Sequence, residues 1–176
     1  MPQFKTRKYA WPVRAIHWLS AILILVAYLT SELSEEIEEG EYAGPDWHVA
    51  AGLSLLLLFL PRVLARVLTR TPPIVPPPAR WSVLAAKLTT LALVLFVVVQ
   101  PVLGVLLVWS EGHALVVPFL DIAIPPMVAL GHGAEDTLEE AHELLGNAFY
   151  AVIALHALAA LWHHFARRDD TLRRML

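Results

Sequence analysis

The chain has 176 residues, enough for a single domain. Hydrophobic residues make up 57% and charged residues 16%, with a mean hydropathy of +0.60. A soluble domain is about 25% charged and roughly half apolar, so the balance is that of a membrane protein. There are no cysteines, which excludes a disulfide framework, a zinc–thiolate site, an iron–sulfur cluster and a thiol nucleophile. Lipid is the first partner implied, and no nucleic-acid partner is expected.

Four apolar stretches follow one another, at roughly 11–30, 47–68, 81–109 and 144–166. About 20 residues of helix cross the hydrocarbon core, so each stretch predicts a membrane-spanning helix. The first carries Arg14 and His17 in its opening turns, and "TSELSEE" offers no small-x-small cleavage site, so it reads as a retained span rather than a signal peptide. An acidic loop, 31–46, leads to the second span. That span ends at "TPPIVPPP", because proline cannot continue a helix. A longer irregular loop, 110–140, joins the third span to the fourth. There is no internal repeat and no soluble appendage. The fold class is all-α, an integral membrane four-helix bundle forming one domain over 1–176.

Charge sets the orientation. All 13 Lys and Arg fall before or at the start of span one, around the proline turn, or after span four. With four spans these positions share one side, which the positive-inside rule makes cytoplasmic. Both termini then lie inside a bacterial inner membrane. The acidic residues of 32–46 and 111–143 lie outside.

Four histidines mark two depths of the bundle: His17 early in span one, His48 opening span two, His142 at the entrance to span four and His156 deeper within it. Ionisable residues there are costly and mark functional sites. His142 and His156 are fourteen positions apart on span four. That is roughly 21 Å of rise and only about 40° of rotation, so one face carries two imidazoles at two depths. His48 matches His142 in depth, and His17 roughly matches His156. A zinc site needs three or four converging ligands, which two separated layers do not supply. A b-type haem takes two axial ligands on opposite faces and sits between apolar helices. Four residues after each histidine stands a small one, Ala21, Gly52, Gly146 and Ala160. Positions i and i+4 share a helix face, which leaves room for a flat macrocycle. Arg62, fourteen positions after His48, lies at the inner depth and is a candidate partner for haem propionates, with Arg66 and Arg14 as further candidates.

These residues resemble the bacterial cytochrome b561 family. The matching stretches are "AIHWLSA", "WHVAAGLSLLLLFLPRVLARVLTRTPP", "QPVLGVLL" and "HELLGNAFYAVIALHALAALWHHFARRDDTLRRML", which together cover nearly the whole chain. The resemblance implies two b haems bound between the helices, His17 with His156 and His48 with His142, and no ligand from span three. It also implies oxidation of superoxide on the periplasmic side, with electrons passing to ubiquinone.

His163 and His164 lie seven and eight positions beyond His156, at the inner interface. They are candidates to donate a hydrogen bond or proton to the quinone, with Trp162, Lys87 and Trp81 lining the same pocket. The outer face, by contrast, carries no Lys or Arg, and its only potential cations are His113 and His132. An acidic face repels an anionic substrate. Three readings therefore stand. The chain is a superoxide:ubiquinone oxidoreductase; or it is an electron-transfer subunit fed by a dehydrogenase, a hydrogenase, a periplasmic cytochrome or a small neutral reductant; or it is a scaffold without haem.

Overall fold

The computed structural model describes residues 8–35, 47–120, 122–128, 130–131 and 133–176, without the side chains of 32–35. Four helices dominate: α1 (Trp11–Glu35), α2 (Trp47–Leu68), α3 (Arg80–Ser110) and α4 (Ala134–Phe165). All four are long and apolar enough to cross a membrane. The fold is the all-α membrane bundle that the apolar stretches predict.

Two helix boundaries differ from the sequence reading: α1 runs on to Glu35, five residues past the apolar stretch, and α4 starts early. α4 begins at Ala134, ten residues before the apolar stretch. Its first turn carries Glu135 and Asp136, whose charge suits the positive end of a helix dipole. The polar segment thus extends the helix beyond the hydrocarbon, where hydropathy gives no signal. The loop before α4 is also less irregular than expected. It contains an antiparallel hairpin of β1 (Leu115–Val117) and β2 (Ile122–Ile124), with Leu115 opposite Ile124.

α1 packs on α2, α2 on α3 and α3 on α4. The buried apolar side chains of the described helices are few: Ala51 and Leu55 of α2, Phe96 and Val97 of α3. Large apolar residues point outward instead, Leu57 with 78% of its surface exposed. Lipid tails are as apolar as leucine, so such residues need no protein partner in a bilayer. α4 buries no residue fully. Specific contacts tie it to its neighbours. The Phe149 ring stacks on Phe96 of α3 at 4.1 Å, the Tyr150 ring lies 4.2 Å from Tyr28 of α1, and the Tyr28 hydroxyl donates to the Gly146 carbonyl at 2.8 Å.

The end carrying both termini is closed by the segment after α4. Tyr9 N–H donates to the Arg174 carbonyl at 3.0 Å, Trp18 Nε1 to the Met175 carbonyl at 2.9 Å, and Lys8 Nζ to the Leu176 main-chain oxygen at 3.2 Å. Val75 N–H, in the proline turn, donates to Asp170 Oδ1 at 3.0 Å, and Arg174 donates to the Pro72 carbonyl. Asp169, Asp170 and Arg174 are all buried. The tail is therefore a structural plug joining α1, the proline turn and α4.

Candidate functional site

Histidine rings from different helices meet at two levels. His48, one residue into α2, faces His142 of α4 with ring centroids 6.0 Å apart. His17 of α1 faces His156 of α4 at 6.3 Å. α4 thus supplies one imidazole to each level. A metal–nitrogen bond of about 2.0 Å, plus about 1.1 Å from ring nitrogen to ring centre, puts the centroids of two imidazoles on one iron about 6.2 Å apart. Both pairs have that spacing. Among the described residues no cluster of three or more His, Cys, Asp or Glu could hold a metal. The donor sets are pairs, as an axially ligated macrocycle requires and a zinc site does not.

At the outer level His48 Nδ1 lies 2.9 Å from the Ala27 carbonyl of α1. Since a carbonyl only accepts, Nδ1 carries the proton, and Nε2 keeps its lone pair for a metal. This is how ligating histidines are usually oriented. His142 is held from α3. Gln100 Nε2 donates to its main-chain carbonyl at 2.9 Å. A Cβ on Gly104 would come within 3.3 Å of His142 Cε1, so the imidazole lies directly against that glycine. His142 Nδ1 is buried with no hydrogen-bond partner, an arrangement that is costly unless a ligand is part of the site. Gln100 and Gly104 are four residues apart and share a face of α3. The sequence reading gave α3 no ligand and overlooked this supporting role. The only signal was the four-residue spacing of Gln and Gly in "QPVLG".

The small residues divide. A Cβ on Gly52 would meet Pro101 Cβ at 4.0 Å, and one on Gly146 would meet Gln100 Nε2 at 3.3 Å. Both glycines face α3, and Gly146 gives Gln100 its path to His142. Ala21 is exposed and Ala160 half-buried.

At the inner level the three candidate arginines have different partners. Arg62 Nη1 donates to the buried Ser20 hydroxyl at 3.4 Å, and its charge acts on both the His17 and His156 rings. Arg14 donates to the Leu176 main-chain oxygen. Arg66 lies 5.8 Å from the centre of the Tyr9 ring, within cation–π range. Arg14 and Arg66 thus hold the terminal plug, while Arg62 belongs to the histidine pair. A half-buried arginine beside the histidine pair calls for an anion, and a haem carboxylate would supply one.

Below His156, the two final histidines separate. His163 Nδ1 lies 2.5 Å from Asp169 Oδ2. Burial alone would raise the Asp169 carboxyl, but the hydrogen bonds from His163 and from the Thr171 N–H bring it below the usual carboxylate range. His164 Nδ1 is buried without a hydrogen-bond partner. Trp162 lies in an open apolar depression with Leu155, Leu158, Ala159, Leu161 and Phe165. Trp81 and Lys87 are exposed on α3 and are not among the residues lining that depression. At the outer end His113 pairs with Glu111 at 3.2 Å. His132 and the acidic stretch 36–46 lie outside the described residues.

Four helices long and apolar enough to span a membrane, with two imidazole pairs between them, define the class: an integral membrane protein whose histidine pairs fit haem. The profile of the prokaryotic cytochrome b561 family matches residues 8–176, and the chain belongs to that family. It is 32% identical over 171 residues to a protein of Yersinia pestis named probable superoxide oxidase CybB, covering 97% of this chain and 96% of the relative. It is 30% identical over 164 residues to cytochrome b561 homolog 1 of Escherichia coli, covering 92% of each. It is also 30% identical over 168 residues to a cytochrome b562 of Cereibacter sphaeroides, covering 92% of this chain and 90% of the relative. The protein is thus a bacterial membrane electron-transfer protein of a haem b family, and its histidine pairs fit that group.

Proposed function

We propose that this chain is one di-haem domain over residues 1–176 that passes electrons across a bacterial inner membrane. In this reading both termini are cytoplasmic, superoxide is oxidised at the outer side and ubiquinone is reduced at the inner side. The observation that carries it is the pair of ring spacings, 6.0 and 6.3 Å, with one ring of each pair on α4. Bound haem supplies a one-electron iron couple at each level. Two superoxide ions give up one electron each and leave as dioxygen, and one ubiquinone takes both electrons and two protons.

The chain's own residues do the rest. His48 and His142 hold the outer group, and His17 and His156 the inner one. The Ala27 carbonyl fixes the His48 tautomer, while Gln100 and Gly104 set His142. Arg62 is the cation for the inner propionates. His163, with Nδ1 committed to Asp169, presents Nε2 to a quinone carbonyl, and His164 has a ring nitrogen free to join it. The apolar depression beside Trp162 gives an isoprenoid tail a path in from the bilayer. The name of the Yersinia relative supports superoxide as the donor.

One observation favours a second reading, a cytochrome subunit fed by a partner dehydrogenase, hydrogenase or periplasmic protein. No Lys or Arg occurs in residues 15–61 or 88–166, so the outer face lacks the positive field that speeds capture of an anion. A basic protein surface would dock there well. Mixing the purified, haem-loaded protein with superoxide and a soluble ubiquinone analogue separates the two. Rapid reduction of the b bands, quickening with salt as the acidic face is screened, supports the oxidase. Reduction no faster than background in superoxide supports the subunit.

A further inference from the structure

The hairpin between α3 and α4 presents apolar side chains that no other part of the described chain covers. Phe119 is 60% exposed, Leu120 65% and Met127 72%, and Val116, Ile122 and Val128 are exposed beside them. From residue 114 to 130 the sequence has one charged residue, Asp121. A two-stranded hairpin is marginal by itself in water, and a contiguous apolar patch on an outer loop marks an interaction surface.

Three observations identify what covers it. First, the inward side is already used: Leu115 is buried, and β1 rests on the end of α3. By the strand register Val116 lies on the opposite face, while Ile122, paired with Val117, shares the face of Leu115 yet stays exposed near the turn. Second, the turn reaches the neighbouring span. The Phe119 ring meets the Trp47 ring edge-on at 5.0 Å. Trp47 opens α2 and is itself half exposed, the position where tryptophan marks a membrane–water boundary. The patch is thus continuous with the lipid-facing surface of the bundle. Third, charge is concentrated at the flanks of the segment, with Glu111 before and Glu135 and Asp136 after, and only Asp121 within it. Each strand also has one unpaired edge, whose N–H and C=O groups must meet water or headgroups. The segment is too wet for hydrocarbon and too apolar for water.

We propose that this hairpin, with the 125–128 segment after it, lies in the membrane interface at the His48–His142 end of the bundle. Val116, Phe119, Leu120, Ile122 and Met127 are buried among lipid at the headgroup–acyl boundary. Seated there, it joins the ends of α2 and α3 at interface depth, beside the outer histidine pair. This inference does not rest on the choice of electron donor.

The absence of native cysteine makes a clean test possible. Single variants Leu120→Cys, Met127→Cys and His113→Cys carry a nitroxide on the full haem-loaded chain, in phosphatidylcholine–phosphatidylglycerol vesicles. Power-saturation electron paramagnetic resonance compares collision with oxygen, which concentrates in lipid, and with a water-soluble nickel chelate. The expected result is a several-fold higher oxygen-to-nickel ratio at 120 and 127 than at 113. A ratio at 120 and 127 equal to that at 113 means the hairpin is in water and overturns the proposal. Low collision with both reagents means a protein surface, a second copy or a partner, covers it, and overturns the proposal equally. Val116→Cys repeats the measurement on the strand itself.

Discussion

His163 and Asp169 are joined across the turn that ends α4, with Nδ1 and Oδ2 2.5 Å apart and the Asp169 N–H donating back to the His163 carbonyl at 3.1 Å. The same carboxylate has Arg167 Nε at 3.8 Å and accepts from Thr171 N–H at 2.9 Å. One buried acid thus anchors the start of the plug to the helix face that carries His156.

This anchor predicts an acid-sensitive inner end. The Asp169 carboxyl is held below its ordinary value of 3.8. A depressed carboxylate contributes stability that is fully present above the unfolded value and lost as pH falls through the folded one. Thermal unfolding in detergent should show an extra loss below about pH 4. Asp169→Asn should lower stability at pH 7 by about 2 kcal/mol, the scale of hydrogen bonds to a charged group, and should remove that extra loss. An unchanged acid profile in the variant would assign the loss to other groups.

Pairing across α4 makes the two haem levels separable. His142→Ala should halve the haem content and leave the signal of the inner level, and His156→Ala should do the converse. Haem quantitation with low-temperature difference spectra reads both. If each variant lost both groups while remaining folded by circular dichroism, the levels would not be independent.

Gly104 should matter as much as a ligand although it binds nothing. A Cβ there already meets His142 Cε1 at 3.3 Å, and a longer side chain must displace the ring. Gly104→Leu should therefore weaken or abolish the outer low-spin signal while sparing the inner one. Gly131, whose added Cβ would meet nothing within 4 Å, is the control position for a similar substitution outside the bundle.

Arg62 should tune the inner level. A nearby cation disfavours the oxidised, more positive state of a redox group. Replacing Arg62 by Gln should lower the inner potential on the order of 70 mV, given a charge about 10 Å away at an effective dielectric constant of about 20. Redox titration of the variant checks this. Arg66→Gln, which removes only the contact with Tyr9, should leave the potential nearly unchanged.

The four spans, the charge asymmetry and the spacing of His142 and His156 are written in local sequence, because hydropathy and helical period are local properties. The pairing of His17 with His156 and of His48 with His142 followed from matching depths, and the rings do meet in those pairs. What was hidden depended on contacts between distant segments. Arg14 and Arg66 stand as further candidates beside Arg62 in the sequence, because all three lie at the inner side. Only the fold shows two of them engaged with Leu176 and Tyr9. The terminal "DDTLRRML" read as a basic tail, since nothing local shows that Asp169, Asp170 and Arg174 are buried. Trp81 and Lys87 do not line the depression beside Trp162, because being near the same interface does not fix the direction a side chain faces. The hairpin was missed because its strands are three residues long, too short for an alternating pattern to register.

The central claim is that two imidazole pairs hold two b haems in one chain. The direct test is a reduced-minus-oxidised absorbance spectrum of the purified protein, with haem and protein quantified on the same sample. The account predicts b-type bands and two haems per chain. A preparation that is folded and haem-supplied yet holds one haem per chain, or none, would contradict it.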